Sequence, residues 1–144
     1  MKRCLPDYPD HDETPRAIEQ AESLAAPAMS HDDAIDHLGA GWIAEEALAI
    51  ALYCALVAGT FREGVTLAVN HGGDSDSTGA ITGNLLGCIH GMGAFPQEWL
   101  EALELPDVIE EIATDLHAFP GWRIAADSGE PADAVVIMEK YPAG

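Results

Sequence analysis

One short segment of the chain gathers glycines, carboxylates and hydroxyls. Gly72 and Gly73 come first, and Asp74, Asp76 and Ser77 follow directly. Paired glycines let the backbone turn sharply and approach another group closely. Carboxylate and hydroxyl oxygens are ligands that suit Mg²⁺, Mn²⁺ or Ca²⁺ better than zinc. The segment therefore predicts a loop that binds a hard divalent cation at the start of a helix.

Three other interpretations compete for this segment. Acidic residues at a helix N-terminus cap the first amide groups, but capping explains one carboxylate better than two. An EF-hand loop beginning at Asp74 fails, because its last position is Leu85 where a bidentate glutamate is needed. The pattern Asp-x-Asp-x-Thr over residues 74–78 also fits phosphatases of the haloacid-dehalogenase type. That alternative requires a buried parallel strand ending at the first aspartate, and it stays open as a less favoured one.

Residues 72–77, Gly-Gly-Asp-Ser-Asp-Ser, resemble the C-terminal metal motif of the ADP-ribosylglycohydrolase family. That motif reads Gly-Gly-Asp-Thr-Asp-Thr and precedes a helix rich in small residues; Ser75 and Ser77 keep the hydroxyls of the two threonines. The resemblance covers about residues 36–118 and includes the Gly-Ala-Gly-Trp loop at 39–42. The family's N-terminal Thr-Asp-Asp triplet has no counterpart here, so the chain resembles the C-terminal half only.

The resemblance implies a metal-dependent hydrolase with two Mg²⁺ or Mn²⁺ ions. The bond cleaved would join ADP-ribose to a modified protein side chain such as arginine. By analogy, Asp74 and Asp76 would be catalytic metal ligands, with Asp76 bridging both ions, and the Ser77 hydroxyl would bind one ion. Four further residues would contact the substrate: Gly41, Trp42, Gly72 and Gly73.

The resemblance to one half of an enzyme leaves an alternative function open. The chain would then be a non-catalytic ADP-ribose-binding module, or part of a split protein that needs an N-terminal partner. Its ligand would in either case be ADP-ribose or an ADP-ribosylated protein. An exposed apolar face would also favour a homo-oligomer.

The pattern around the loop predicts an all-α fold, a compact orthogonal helix bundle truncated at its N-terminal half. Residues 43–58 are apolar on nearly every face, which predicts a buried helix. The segment 61–69 is short and ambiguous, but helix is favoured over strand. After the loop, glycines recur every four residues at 79, 83, 87 and 91. This stripe predicts a groove for the alanines of the buried helix.

Two acidic residues, Glu45 and Glu46, lie in the predicted first turn of the buried helix. The positive end of the helix dipole favours such residues, so capping is their expected role. The alternative is that one of these glutamates lies beside the predicted metal-binding segment at residues 72–77. The helix is too short to span a membrane, because a span needs about 20 apolar residues.

Composition excludes one class of partner. The 144 residues include 25 acidic and only 6 basic ones, for a net charge of −19. Nucleic-acid binding through a basic patch is therefore not expected. Cys54 and Cys88 lie in apolar segments, and the odd count of three cysteines favours buried, reduced thiols in a cytoplasmic protein.

Three regions are predicted along the chain. Residues 1–15 carry prolines among charges, which predicts a flexible acidic arm and no secretory signal. Residues 16–122 hold the predicted helices and form the helical domain. Residues 123–144 show little periodicity and are predicted to be an irregular tail.

Overall fold

The computed structural model describes residues 12–26, 29–119 and 137–141, and all regular structure in them is helical. The all-α prediction is therefore confirmed for this part of the chain. A short 3₁₀ turn, Met92–Ala94, follows the fifth helix. The seven α-helices are α1 (Glu13–Leu24), α2 (His31–Leu38), α3 (Ala44–Val57), α4 (Phe61–Val69), α5 (Ser75–His90), α6 (Gln97–Ala102) and α7 (Pro106–Ala118).

The chain divides into two compact units, Met1–Trp99 and Leu100–Gly144. The predicted arm at 1–15 and the predicted tail at 123–144 lie mostly outside the described residues, and their boundaries stay predictions. In the described residues, no helix is long and apolar enough to cross a membrane.

Helix α3 is the centre of the first unit, as its sequence predicts. Ile50 and Cys54 are fully buried, and Tyr53 keeps only 2% of its surface exposed. Alanines of α1 and Ile35 of α2 pack into the same core. The Tyr53 hydroxyl lies 2.8 Å from Nδ1 of His31, so this buried polar group has a partner. The prediction of a buried thiol is confirmed for Cys54 and is wrong for Cys88, which is exposed on α5.

The segment 61–69 is a helix, as predicted. Thr60 caps it by accepting a hydrogen bond from the Glu63 amide at 3.1 Å. Asp74 therefore follows a helix and a turn. The phosphatase alternative, which needs a parallel strand at this point, is wrong for this chain.

The glycine stripe of α5 faces α4 and the segment after α5. A Cβ added at Gly79 would lie 2.5 Å from Cγ1 of Val69, and one at Gly87 would lie 3.5 Å from Phe95. The prediction that alanines of α3 fill this groove is thus wrong. Contact with α3 uses a different residue, Thr82, which is buried. Its hydroxyl donates to the Thr78 carbonyl oxygen at 2.7 Å within α5 and lies 3.5 Å from the Ala51 carbonyl oxygen of α3.

The second unit contains α7 and the helical turn at 137–140. Lys140 lies 2.5 Å from the Asp115 carboxylate and 2.6 Å from that of Glu111. Tyr141 donates a hydrogen bond to Asp115 at 2.8 Å. These polar contacts connect the turn to α7, on which Ile109, Ile112 and Leu116 are exposed.

Candidate functional site

Asp74 lies at the N-terminus of α5, where the loop becomes a helix. Its backbone N–H donates to the Ala40 carbonyl oxygen at 2.8 Å, and its own carbonyl oxygen accepts from the Thr78 amide at 3.2 Å. The residue occupies the N-cap position, but its side chain makes no capping hydrogen bond of normal geometry. No capping hydrogen bond of normal geometry therefore holds this carboxylate in place.

The side chains of Asp74, Asp76 and Ser77 meet at this junction. The pKa of Asp74 lies below its ordinary value, because the side chains of Asp76 and Ser77 interact with its carboxylate; the Ser77 amide adds to the effect, against some desolvation. Asp74 and Ser77 are half-buried, whereas Asp76 is exposed. No lysine or arginine of the described residues pairs with either carboxylate.

This donor set suits a hard cation. Two adjacent carboxylates repel each other, and a divalent cation between them would remove that repulsion while accepting the Ser77 hydroxyl as a further oxygen ligand. Within residues 12–26, 29–119 and 137–141, no group of three His, Cys, Asp or Glu side chains converges in a metal-binding arrangement. The cluster in this part of the chain thus consists of two carboxylates and one hydroxyl.

His71 orders the loop before the carboxylates. Its Nδ1 accepts a hydrogen bond from the Gly73 amide at 3.1 Å, so Nε2 carries the proton. Nε2 lies 2.9 Å from the Thr78 hydroxyl, which in turn donates to the Ala68 carbonyl oxygen at 2.7 Å. Both ring nitrogens are occupied in this network, and His71 supports the loop without pointing a free nitrogen at the carboxylates.

The loop at residues 39–42 packs directly on the segment 72–74, which precedes α5. A Cβ at Gly73 would lie 2.6 Å from the Ala40 carbonyl carbon, so only glycine allows this approach. Gly41 has a φ of +79°, and a Cβ there would lie 3.1 Å from Cγ2 of Thr78. The two predicted glycine segments are therefore neighbours in space.

The remaining predicted substrate residues, Trp42 and Gly72, are both exposed. Trp42, next to Gly41, keeps 71% of its surface exposed, so its side chain is not part of the core. Nothing lies within 4 Å of a Cβ added at Gly72. Neither residue is enclosed by the surrounding chain.

Glu46 lies beside the loop, which is the alternative to the capping role expected for it. Its Oε2 accepts hydrogen bonds from the amides of Ala40 at 3.1 Å and Gly41 at 3.0 Å. The N-cap of α3 is Ile43, which has no side-chain capping bond, so the expected capping role is not what Glu46 performs. The sequence did not identify these two amides as its partners, because Gly39 and Gly41, seven and five residues upstream, are too general a signal.

A family model and several proteins of other organisms match the sequence of this chain. A model of the ADP-ribosylglycohydrolase family matches residues 1–124. An uncharacterized protein of Archaeoglobus fulgidus is 31% identical over 123 residues, which is 77% of this chain and 40% of that protein. An ADP-ribosylarginine hydrolase, Tri1, of Pseudomonas putida is 31% identical over 71 residues, 49% of this chain and 19% of the relative.

A third relative, the ADP-ribosyl-[dinitrogen reductase] glycohydrolase of Rhodospirillum rubrum, is 39% identical over 54 residues. The match covers 38% of this chain and 18% of that enzyme. In these three relatives the matched stretch thus makes up between 18% and 40% of the whole protein. No solved structure gives a significant match.

Proposed function

Because the chain belongs to the ADP-ribosylglycohydrolase family, we propose that it carries the Asp74–Ser77 part of a metal-dependent site that hydrolyses an ADP-ribosyl bond. The observation that carries this proposal is the meeting of two carboxylates and a hydroxyl at one helix start, with no basic partner among the described residues. The ions would be Mg²⁺ or Mn²⁺, and two would bind in the complete site.

The residues present would hold the cations as follows. Asp74 and Asp76 would supply negative charge, Asp76 would serve both ions, and Ser77 would add a neutral oxygen. An octahedral ion needs about six ligands, so water or residues beyond this cluster would supply the others. Bound cations would orient ribose and phosphate oxygens and lower the pKa of a bound water.

The neighbouring loop would position the substrate. The Trp42 ring is exposed beside Gly41, and a flat aromatic face can stack on a planar group such as a nucleobase. Gly72 leaves open space beside the carboxylates, so a sugar could approach the backbone there. The substrate would therefore lie between the Trp42 loop and the start of α5.

We propose an arginine side chain as the acceptor from which ADP-ribose is removed. The support comes from the name of one relative, the ADP-ribosylarginine hydrolase Tri1. The name of a second relative, the ADP-ribosyl-[dinitrogen reductase] glycohydrolase, supports a modified protein as the substrate. The natural ligand would then be an ADP-ribosylated protein. The cytoplasmic location predicted from the cysteines remains part of the proposal.

A second function has its own supporting observation. The described residues bring only two carboxylates together, and the chain matches less than half the length of its relatives. A module that binds ADP-ribose without cleaving it, or that joins an N-terminal partner or a second copy, would need no complete metal site.

Calorimetry with Mg²⁺ and Mn²⁺ tests the proposal. The wild type is compared with Asp74→Ala/Asp76→Ala, and a double variant of two exposed α2 residues, Asp32→Ala/Asp36→Ala, removes the same charge elsewhere. We expect binding in the wild type and the α2 variant and none in the site variant. ADP-ribose is then added, and release of ADP-ribose from an ADP-ribosylarginine peptide is measured.

The outcomes separate the two functions. Metal binding with ADP-ribose release supports the hydrolase. Binding of ADP-ribose without release supports the binding module. Equal metal binding in the wild type and the Asp74→Ala/Asp76→Ala variant would exclude this loop as the metal site.

A further inference from the structure

The peptide group between Ala40 and Gly41 is held from both sides. Its N–H, on Gly41, donates to Oε2 of Glu46 at 3.0 Å, and its carbonyl oxygen, on Ala40, accepts the N–H of Asp74 at 2.8 Å. The same Glu46 oxygen accepts the Ala40 amide at 3.1 Å. One carboxylate in α3 is therefore connected to the metal loop through a single peptide.

The loop is shaped to receive this carboxylate. Gly39 has a φ of +118°, and a Cβ there would lie 2.7 Å from Cγ and 2.8 Å from Oε1 of Glu46. A side chain at position 39 would be strained in its backbone and would also collide with the glutamate. The turn and the half-buried carboxylate therefore depend on each other.

Movement of this loop would reach Asp74 at once. A Cβ added at Gly41 would lie 3.6 Å from Cβ of Asp74, and the Gly73 backbone lies against the Ala40 carbonyl group. If the two hydrogen bonds from these amides to Glu46 are lost, no other hydrogen bond in the described residues holds the N–H groups of Ala40 and Gly41. The carbonyl group that orients Asp74 would then be free to rotate.

We infer that Glu46 is a positioning residue for the loop that carries Asp74, acting through the peptide group between Ala40 and Gly41. The inference rests on the proposed metal-binding function. Groups that orient metal ligands typically change metal affinity by about 10–100-fold when they are removed. Glu46 is not proposed as a ligand of the cation, because its Oε2 is occupied by two backbone amides.

The test compares Glu46→Ala and Glu46→Gln with Glu45→Ala and Glu45→Gln. Glu45 is a matched control, because it is an acidic, half-buried neighbour in the same helical turn. The Mn²⁺ dissociation constant is measured by calorimetry. The backbone amide shift of Asp74 is measured by NMR without metal, and helical circular dichroism and thermal melting report folding.

We expect Glu46→Ala to weaken Mn²⁺ binding by about 10-fold or more. Glu46→Gln should lie between Glu46→Ala and the wild type, since its amide oxygen can still accept both N–H groups but carries no charge. The Glu45 variants should bind as the wild type does. The Asp74 amide shift should move in Glu46→Ala and not in Glu45→Ala.

A folded Glu46→Ala protein with wild-type Mn²⁺ affinity would overturn the inference. If Glu46→Ala does not fold, Glu46→Gln decides: unchanged affinity and an unchanged Asp74 amide shift would overturn it. If the wild type itself binds no Mn²⁺, the proposed function fails. The Asp74 amide shift then decides the positioning role alone, and equal shifts in the Glu46 and Glu45 variants would refute it.

Discussion

The two glycines before Asp74 have different surroundings, and alanine substitution should separate them. A Cβ at Gly73 would lie 2.6 Å from the carbonyl carbon and 2.9 Å from Cα of Ala40, and closer still to the carbonyl oxygen. A Cβ at Gly72 would meet nothing within 4 Å. Neither residue has a positive φ, so backbone strain does not distinguish them.

The cost of Gly73→Ala follows from the displacement that it forces. Carbon atoms pack at about 3.5 Å or more, so the two backbone segments must move apart by about 1 Å. The 2.8 Å bond from the Asp74 amide to Ala40 would then exceed hydrogen-bonding distance. Overpacking costs about 1–3 kcal/mol and a lost hydrogen bond about 0.5–1.5 kcal/mol. The alanine also restricts the unfolded chain, which returns about 0.4–1 kcal/mol.

The net expectation is that Gly73→Ala lowers the free energy of unfolding by about 0.5–4 kcal/mol. Gly72→Ala should be neutral or stabilising by up to about 1 kcal/mol. Urea denaturation followed by circular dichroism gives both values, provided that the slope with denaturant is unchanged. The same variants are then titrated with Mn²⁺, where only Gly73→Ala should bind more weakly. If Gly73→Ala proves as stable as Gly72→Ala, the close packing of the two loops is refuted.

Two further predictions concern groups outside the metal loop. Burial raises the pKa of Cys54 to about 12, so iodoacetamide at mildly alkaline pH should label Cys88 in the folded protein and Cys54 only after urea is added; peptide mass spectrometry distinguishes them, and equal labelling without urea would contradict this. The pKa of Asp115 lies below its ordinary value chiefly because the Lys140 ammonium donates to its carboxylate, so Lys140→Ala should raise that pKa in an NMR titration. A carboxyl group with a lowered pKa stabilises the fold at pH values above its ordinary pKa of about 4, and this stabilisation is lost as the pH falls below that value. The wild type should therefore lose more stability than the variant as the pH falls; an equal loss in both proteins would refute the coupling.

The sequence predicted the parts of this molecule that depend on local pattern. The buried helix α3 follows from an apolar run, α4 from its context, and the start of α5 from the change from glycines to carboxylates. The family resemblance was readable because Asp74, Asp76 and Ser77 stand within one short motif. Such features need only neighbours in sequence.

The features that were missed depend on packing between distant segments. The contact from Glu46 to the Ala40 and Gly41 amides requires the turn before α3 to fold back on the helix, which periodicity does not express. The prediction that α3 packs against the glycine stripe was wrong for a similar reason. A stripe predicts close approach of some helix, but whether α3 or α4 approaches is decided by the rotation of α5 about its axis.

The α4–α5 pair has a property that bears on how the chain can change over time. Gly64 of α4 leaves room for Leu86 of α5, and Gly79 of α5 leaves room for Val69 of α4. Each helix therefore contributes one small and one large residue to the same interface, and a side chain added at either glycine would require the opposing side chain to shift. A larger residue at 79 becomes tolerable when position 69 loses volume, and the same exchange applies to 64 and 86. In an evolving lineage these positions should therefore vary as two linked pairs, with the summed volume of each pair kept nearly constant.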